Sequence, residues 1–592
     1  MRRNGMILAG MILMLAALPM MAADPNLAGT VKSAAGKPLE GVGVSARASD
    51  RTFTTTVYTD AQGKYYFPPL EAGHYKMWAQ AVGFDAGKAE LDLAAGKSAQ
   101  QSFTLAALKD FSHQLSGAEW MASLPEATAQ DRRLKNLFHQ QCNTCHVSAY
   151  TLENRFDAVG WRLMLDFMEK TSPLVDQRPR TNPAMDSFKE ELVGYLTQVR
   201  GPSPMTLKFK PFPRPAGETA QVVVTEYDVS PAWNPGYISA HNGTDWSEGL
   251  PSRHEARAMH SLKTAADGSV WFSDTYVPGR TVAHLDPKTG KVTDYALPDK
   301  NNEASGTHGL SADRDGNIWL TNNAAGALTR FDPKTGEFKV FPRPDDIKPM
   351  GSDARVDSKG NPWALLHNPD GAVKLDVKTG KYTAYYAPTS GGDPYGIAVD
   401  AKDNIWFTQI GSDRVVVVDT ETRKTSDIAL APPTGEMSDK DREVASHSVG
   451  AATATESHAF QKGPRRMAAD PNGDTVWVAE YWGGMLAKFD INTKKLIKEY
   501  PVPHHESLPY AVVVDRNHMV WFSMMNEDRI GRFNPKTEQF SEFPLPSLGT
   551  GIRSIDVDNS TDPPSLWAPE FGTNKLVHLE FRSSNPQMAD AK

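Results

Sequence analysis

Gly309-Leu-Ser-Ala-Asp-Arg-Asp-Gly-Asn-Ile-Trp319-Leu-Thr321 and Gly396-Ile-Ala-Val-Asp-Ala-Lys-Asp-Asn-Ile-Trp406-Phe-Thr408 are two copies of one pattern. Each reads as two short apolar strands around an Asp/Asn turn. Each is followed by a segment such as Leu328-Thr-Arg-Phe-Asp-Pro-Lys-Thr-Gly-Glu-Phe338, then by one such as Lys339-Val-Phe-Pro-Arg-Pro344. Equivalent tryptophans stand at Trp271, Trp319, Trp363, Trp406, Trp477, Trp521 and Trp567. They recur every 43 to 48 residues, apart from one interval of 71 between Trp406 and Trp477. The surplus falls on residues 432–463, a Ser/Thr/Ala-rich insertion without periodicity. Seven units of four short strands predict a seven-bladed β-propeller over 218–585.

A linear solenoid is the alternative, and it needs polar caps at both ends. Here the ends are complementary instead. The last unit supplies about three strands and stops near Phe581. A lone fourth-strand segment, Val222 to Val229, precedes the first unit and matches Ile497-Lys-Glu-Tyr-Pro-Val502 and Phe540-Ser-Glu-Phe-Pro-Leu545. Pairing the two closes a ring and removes open edges. The repeat of Gly-Ile-x-x-Asp, Asn-x-Trp-Phe-Thr and Asp-Pro-x-Thr-Gly resembles the virginiamycin B (streptogramin) lyase family. That resemblance implies the propeller architecture. As chemistry it is weaker, because unrelated propellers share such repeats.

The chain has two cysteines in 592 residues, in Cys142-Asn-Thr-Cys145-His146. Cys-x-x-Cys-His is the spacing at which two thiols add to haem vinyl groups while the imidazole ligates iron. A redox dithiol or half a zinc site is the alternative. Zinc needs further ligands at matching spacing, and no second Cys pair exists. The flanking segment 112–201 has helical periodicity, with apolar Phe188, Leu192, Tyr195, Leu196 and Val199 at period 3.6. It resembles a small c-type cytochrome domain. One haem c is expected, with His146 as proximal iron ligand. Met168 is the first choice as distal ligand, in Trp161-Arg-Leu-Met-Leu-Asp-Phe-Met168; Met185 is the alternative and Met164 the third. Core packing is the ordinary role of a helical Met.

Arg2 and Arg3, an apolar run from Met6 to Met21, and Ala22-Ala23 have the form of a secretory signal over 1–23. The run is short of the ~20 apolar residues of a comfortable membrane span. A periplasmic protein without a transmembrane span after cleavage is expected, in the compartment where haem is attached covalently. Residues 24–108 show short strands and tight turns, including Thr59-Asp-Ala-Gln-Gly63-Lys-Tyr-Tyr-Phe67. About seven strands predict a small β-sandwich. Gly29-x-Val31, Pro38-Leu-x-Gly41 and Leu70-x-x-Gly73-x-Tyr75 resemble the carboxypeptidase regulatory-like domain, a module that is usually non-catalytic. His74 falls on a strand surface. Residues 202–217, with five prolines, form a semi-rigid linker. The fold class is therefore multidomain and mainly β: a small β-sandwich, a small α-helical cytochrome c domain and a seven-bladed propeller.

The net charge is −8, and no long basic run appears, so nucleic acid is not expected as a partner. In the propeller, the starts of first strands place His260 and His308 toward the channel, with Arg465, Arg466 and Arg553 near the starts of other units. Positions three after the tryptophans hold Asp274, Asn322, Gln409, Glu480 and Glu570. Such a ring suits a polar small molecule or a divalent cation, Mg²⁺ or Ca²⁺, at Asp274, Glu480 and Glu570. The lyase resemblance implies a His general base beside a carboxylate-held Mg²⁺, for which His260, His308 and Glu480 are candidates. His447, Glu456 and His458 of the insertion are further candidates; the insertion also reads as a lid or as a docking surface for the haem domain. His139 is expected to be a surface or packing residue.

Three functions follow. The first is a haem-linked oxidoreductase or electron carrier with a small-molecule ligand in the channel. One haem carries one electron, so a redox partner, a dehydrogenase or a cytochrome, is expected. The second is a metal-dependent lyase, and the third a non-enzymatic binding scaffold.

Overall fold

The Asp-Asn-Trp pattern of the repeat is a hydrogen-bonded turn with a buried indole behind it. Asp313 accepts from the Asn317 amide at 3.0 Å and from Trp319 Nε1 at 2.9 Å. Asp357, Asp400 and Asp515 hold Trp363, Trp406 and Trp521 in the same way, at 3.1, 2.8 and 2.9 Å. One carboxylate thus shapes the turn and satisfies a donor that would otherwise be orphaned by burial.

The computed structural model describes residues 26–143, 146–171, 183–203, 205–229, 242–249, 259–274, 280–297, 307–322, 327–347, 350–448 and 460–582. The protein is mainly β and multidomain, with few helices. Six antiparallel sheets of four strands in sequence order occupy 259–295, 307–341, 350–386, 394–429, 464–501 and 509–544 (units one to six). Unit seven combines Asp556–Asp558, Ser565–Glu570 and Lys575–Phe581 with Val222–Asp228, which pairs antiparallel to Lys575–Phe581. First strands of successive units touch, and unit seven touches units six and one.

Val222–Asp228 has a second partner. Its other edge pairs with Phe53–Tyr58, in the register Thr55↔Thr225. Unit seven and one sheet of the N-terminal domain are therefore one eight-stranded sheet. All seven residues of the shared strand are buried, as an edge covered on both sides requires. The N-terminal domain has eight strands in 27–105, in two layers around Val31, Val44, Val57, Tyr65, Phe67 and Phe103. The extra strand arises because Ala99–Gln100 and Phe103–Leu105 are two short segments, both parallel to Leu27–Ser33. His74 lies exposed, 2.8 Å from Asp92.

The helical segment contains α1 (Gly117–Ala122), α2 (Ala129–Cys142), α3 (Ser148–Leu152), α4 (Ala158–Thr171) and α5 (Pro183–Arg200). Capping boxes, Ser116 with Glu119 and Thr128 with Asp131, start α1 and α2. Phe188, Leu192, Tyr195, Leu196 and Val199 are all buried, as their period predicts. Within the Trp161–Met168 stretch of α4, Trp161 and Leu165 are buried and Met168 is not.

This helical unit lies against the propeller-like ring. Ala118 N donates to Asn526 O at 2.6 Å, and Ser148 N to Asn526 Oδ1 at 2.8 Å. The linker lies along the same seam rather than acting as a tether. Phe209 meets Trp120 edge-on, and Phe212 stacks on His504 with ring centroids 3.6 Å apart. The insertion holds a helix, α6 (Asp439–Ser448), and serves as a docking surface. Asp441 accepts from Arg133 of α2 at 2.6 and 2.5 Å, and Arg133 also reaches Glu191 of α5 at 2.7 Å. Among the described residues no helix is long and apolar enough to cross a membrane.

The Asp441 side chain is fully covered, so removing it leaves the Arg133 guanidinium short of a buried partner. Asp441→Ala is expected to cost about 3 kcal/mol and to raise hydrogen exchange across α6. Arg133→Met with Asp441→Leu should recover most of that protection.

Candidate functional site

The same irregularity occurs near the start of the first strand in units one to six. Strand register slips between Met259 and Leu262, Thr307 and Leu310, Gly351 and Ala354, Pro394 and Ile397, Pro464 and Met467, and Pro509 and Val512. Each slip is a β-bulge, which kinks a strand and re-aims a side chain. The bulged pairs contain His260, His308, Asp353, Tyr395, Arg465 with Arg466, and Tyr510. The second strand supports the kink. Ser273, Thr321, Thr408 and Ser523, two residues after a repeat tryptophan, accept from the bulge amides of Ser261, Gly309, Gly396 and Ala511 at 2.9 to 3.2 Å. Thr408 Oγ1 also donates to Arg465 O of the next unit at 2.6 Å. Gly396 is needed there, because a Cβ would stand 2.3 Å from that carbonyl oxygen.

The re-aimed side chains converge. His260 and His308 rings lie 3.5 Å apart between centroids. Arg466 reaches His260 Nδ1 at 3.1 Å and Asp353 at 3.3 Å. The Arg465 guanidinium lies over the rings of Tyr481 at 4.0 Å and Tyr510 at 4.4 Å. The hydroxyls of Tyr395 and Tyr510 hydrogen-bond to each other. Arg553 of unit seven packs over Phe571 at 3.6 Å. Burial, then His308 and the guanidiniums, hold His260 well below its usual range, so it is a neutral imidazole. Burial pushes the Tyr510 phenol up, but Arg465, Arg553 and Arg466 outweigh it and draw the phenol down.

Of the residues expected here, His260, His308, Arg465, Arg466 and Arg553 come together. Asp274, Gln409, Glu480 and Glu570 do not join them; each ends a second strand and meets partners nearby. Asp274 lies 3.5 Å from Arg280. Gln409 donates to Asp370 and to Thr389 O. Glu480 lies 3.4 Å from Lys462, and Glu570 accepts from Thr573. Desolvation raises Glu480 and Glu570 well above the usual carboxylate range. The Asn322 and His447 side chains, and Glu456 and His458, lie outside the described residues. Sequence reasoning missed Asp353, Tyr395, Tyr510 and Tyr481. A signal existed: His260, His308, Tyr395, Arg466 and Tyr510 each stand eleven residues before a repeat tryptophan.

The second group surrounds the cysteine motif. Cys142 ends α2 and its thiol is pushed up to about 12 by burial, which does not suit a reactive thiolate. Cys145 lies outside the described residues. His146 is half-buried, with Nδ1 3.1 Å from Val147 O. Met185 and Met164 pack in the apolar cluster that includes Cys142. Met168 is 41% exposed, on a face of α4 with Val159, Leu163 and Phe167 at 61, 64 and 56%. His139 is buried against His505 and held down to about 3, a packing residue. The motif touches the axial cluster: Tyr481 donates its hydroxyl to Asn143 O at 2.5 Å.

Among the described residues, one group has metal-ligand chemistry at close range: His504, Glu527 and Glu542. Arg529 lies 3.2 and 3.3 Å from the two carboxylates and occupies the place of a cation. Burial opposes charging of His504, but Glu527 and Glu542 outweigh it and raise the imidazole to about 10.

Residues 26–106 match the carboxypeptidase regulatory-like domain family. No curated protein matches the chain. Solved structures with similarity include virginiamycin B lyase from Staphylococcus aureus, at 18% identity and TM-score 0.45, over 56% of this chain and 97% of that one. A streptogramin B lyase structure has 18% identity and TM-score 0.47, over 62% of this chain and 100% of the other. No residue role is transferred from them.

His504 should remain an imidazolium well above its usual range. Its contribution to stability is complete below about pH 6.5 and is lost as pH rises toward about 10. Histidine-resolved NMR should find its ring protonated at pH 8, and His504→Gln should flatten the fall of stability over that window.

Proposed function

We propose that the chain is a periplasmic c-type haem protein, an oxidoreductase or electron-transfer component whose closed seven-bladed propeller binds a small polar molecule on its axis. The observation that carries this reading is Tyr481. Its hydroxyl bonds the backbone inside the Cys142–His146 motif, and its ring lies against Arg465 and meets Tyr510 edge-on, with ring centroids 5.5 Å apart. One side chain thus joins the two candidate centres.

The residues around the motif fit a haem. The exposed apolar face of α4 needs a hydrophobic cover. The buried Trp161 Nε1 and Tyr195 hydroxyl, in the apolar cluster against which Cys142 packs, make no hydrogen bond among the described residues. Cys142 and Cys145 would hold the group, His146 would ligate it on one side, and Met168 or Met185 on the other. Bound haem supplies a one-electron couple. The chain itself would orient a ligand through the arginines, with His260 held neutral as the acceptor of an Arg466 hydrogen bond. A partner dehydrogenase or cytochrome takes the second electron from any two-electron substrate.

The lyase alternative needs a divalent cation beside the histidines. Arg466 and the neighbouring guanidiniums face them instead, and Asp274, Glu480 and Glu570 are engaged elsewhere. The arrangement therefore favours the first reading.

Protein matured in an export-competent host should yield a peptide bearing both cysteines with the mass of one covalent haem. Free thiols or a disulfide on that peptide would contradict the proposal. Met168→Ala and Met185→Ala then separate the distal ligands: the true one abolishes the thioether-to-iron charge-transfer band.

A further inference from the structure

We propose that the seam between α2 and the ring holds a second ligand site, for an uncharged phenol. A cavity of about 620 Å³ opens there, within the range of roughly 300–1,000 Å³ usual for small-molecule sites. Three parts of the chain wall it: the α1–α2 region, the insertion, and the turns around Trp482 and His505 of units five and six. The axial cluster does not line it, and neither do Cys142, His146, Met168 and Met185. The inference therefore stands apart from both readings above. The cavity is still close to the cysteine motif, since His139 in its wall lies one helical turn before Cys142 on α2.

The charges in the wall are matched. Lys135 lies 2.6 Å from Glu506 and 3.1 Å from Glu126, Arg132 lies 2.9 Å from Glu436, and Lys462 lies 2.8 Å from Glu499. A charged ligand would add an unmatched charge to a partly buried place, which is costly. A neutral one disturbs no pair. His139 supplies the polar contact. It is buried, and its Nε2 makes no hydrogen bond among the described residues. Burial holds its ring down to about 3, so it is a neutral imidazole. A neutral imidazole has one donor nitrogen and one acceptor. A hydroxyl does both and satisfies Nε2 in either tautomer, whereas a carboxylate only accepts and an ammonium only donates. The His505 ring lies beside it, with centroids 5.4 Å apart. Gly484 makes room for that ring: its φ is +61°, and a Cβ there would stand 2.5 Å from His505 Nδ1. Trp482, Phe460, Met437 and Met485 give the wall aromatic and thioether character. Both favour a flat aromatic body.

Calorimetric titration of the full-length protein, matured with its export signal, tests the assignment with phenol, benzoate, benzylamine, cyclohexanol and copper(II). Phenol should bind, with benzoate and benzylamine weaker by about tenfold or more and cyclohexanol weaker as well. His139→Leu should weaken phenol by about fivefold to thirtyfold, the loss of one hydrogen bond to a buried nitrogen. Thr434→Trp, at an exposed position of the insertion in the cavity wall, should abolish binding by filling the space, and it serves where His139→Leu does not fold. Benzoate, benzylamine or cyclohexanol bound as tightly as phenol would overturn the proposal. So would phenol binding unchanged in both variants, copper bound where phenol is not, or no heat from phenol at millimolar concentration. Haem absorbance is recorded on the same sample. A protein that binds phenol but carries no haem loses the redox reading and keeps this inference, and a haem protein indifferent to phenol does the reverse.

Discussion

The repeated β-bulge is the constraint on which the rest depends. A regular first strand would keep its side chains in alternation, packed between neighbouring units. One extra residue, or two in unit three, breaks that alternation and re-aims a side chain. The break frees a backbone amide in a dry place, at a cost of about 1–3 kcal/mol if it stays unpaired. The Ser or Thr two positions after the repeat tryptophan removes that cost in units one, two, four and six. In unit three Asp353 accepts from the Ala354 amide. The short polar residue behind the tryptophan thus supports the site through the backbone of the residues that form it.

The second dependence is on a shared strand. Val222–Asp228 completes unit seven and also extends the N-terminal sheet. The sandwich cannot move as an independent module without exposing two rows of backbone hydrogen bonds. The helical unit is fixed to the ring by different chemistry, through Asn526, Gln140 with Gln461, and the Arg133 pairs to Asp441 and Glu191. The second attachment sets Asn143 of the cysteine motif beside Tyr481, whose ring meets Arg465 and Tyr510.

Much of the architecture was legible because it rests on local spacing. The tryptophan intervals located all four-stranded units, and the stray Val222 segment identified the partner of Lys575–Phe581. Its second partner, Phe53–Tyr58, was not legible, since nothing in a strand's own residues names both neighbours. The site was half legible. His260, His308 and three arginines were found from their place near strand starts. Tyr395 and Tyr510 occupy the same register but read as ordinary core aromatics. The carboxylates after each tryptophan were polar and near the rim, yet Asp274 and Glu480 turn toward Arg280 and Lys462, because a buried charge settles on the nearest opposite one. Docking of the insertion through Asp441 depends on a contact 308 residues away in sequence, beyond any local pattern.

The central claim is that an iron porphyrin stands at the Cys142–His146 motif, against the ring of units whose axis binds the ligand. Anomalous diffraction at the iron absorption edge, on crystals of protein matured with its export signal, measures this directly. The account predicts one iron peak within bonding distance of the His146 ring, on the side of the helical unit that faces Tyr481. A zinc signal between the cysteines, or no metal peak near His146, would contradict it.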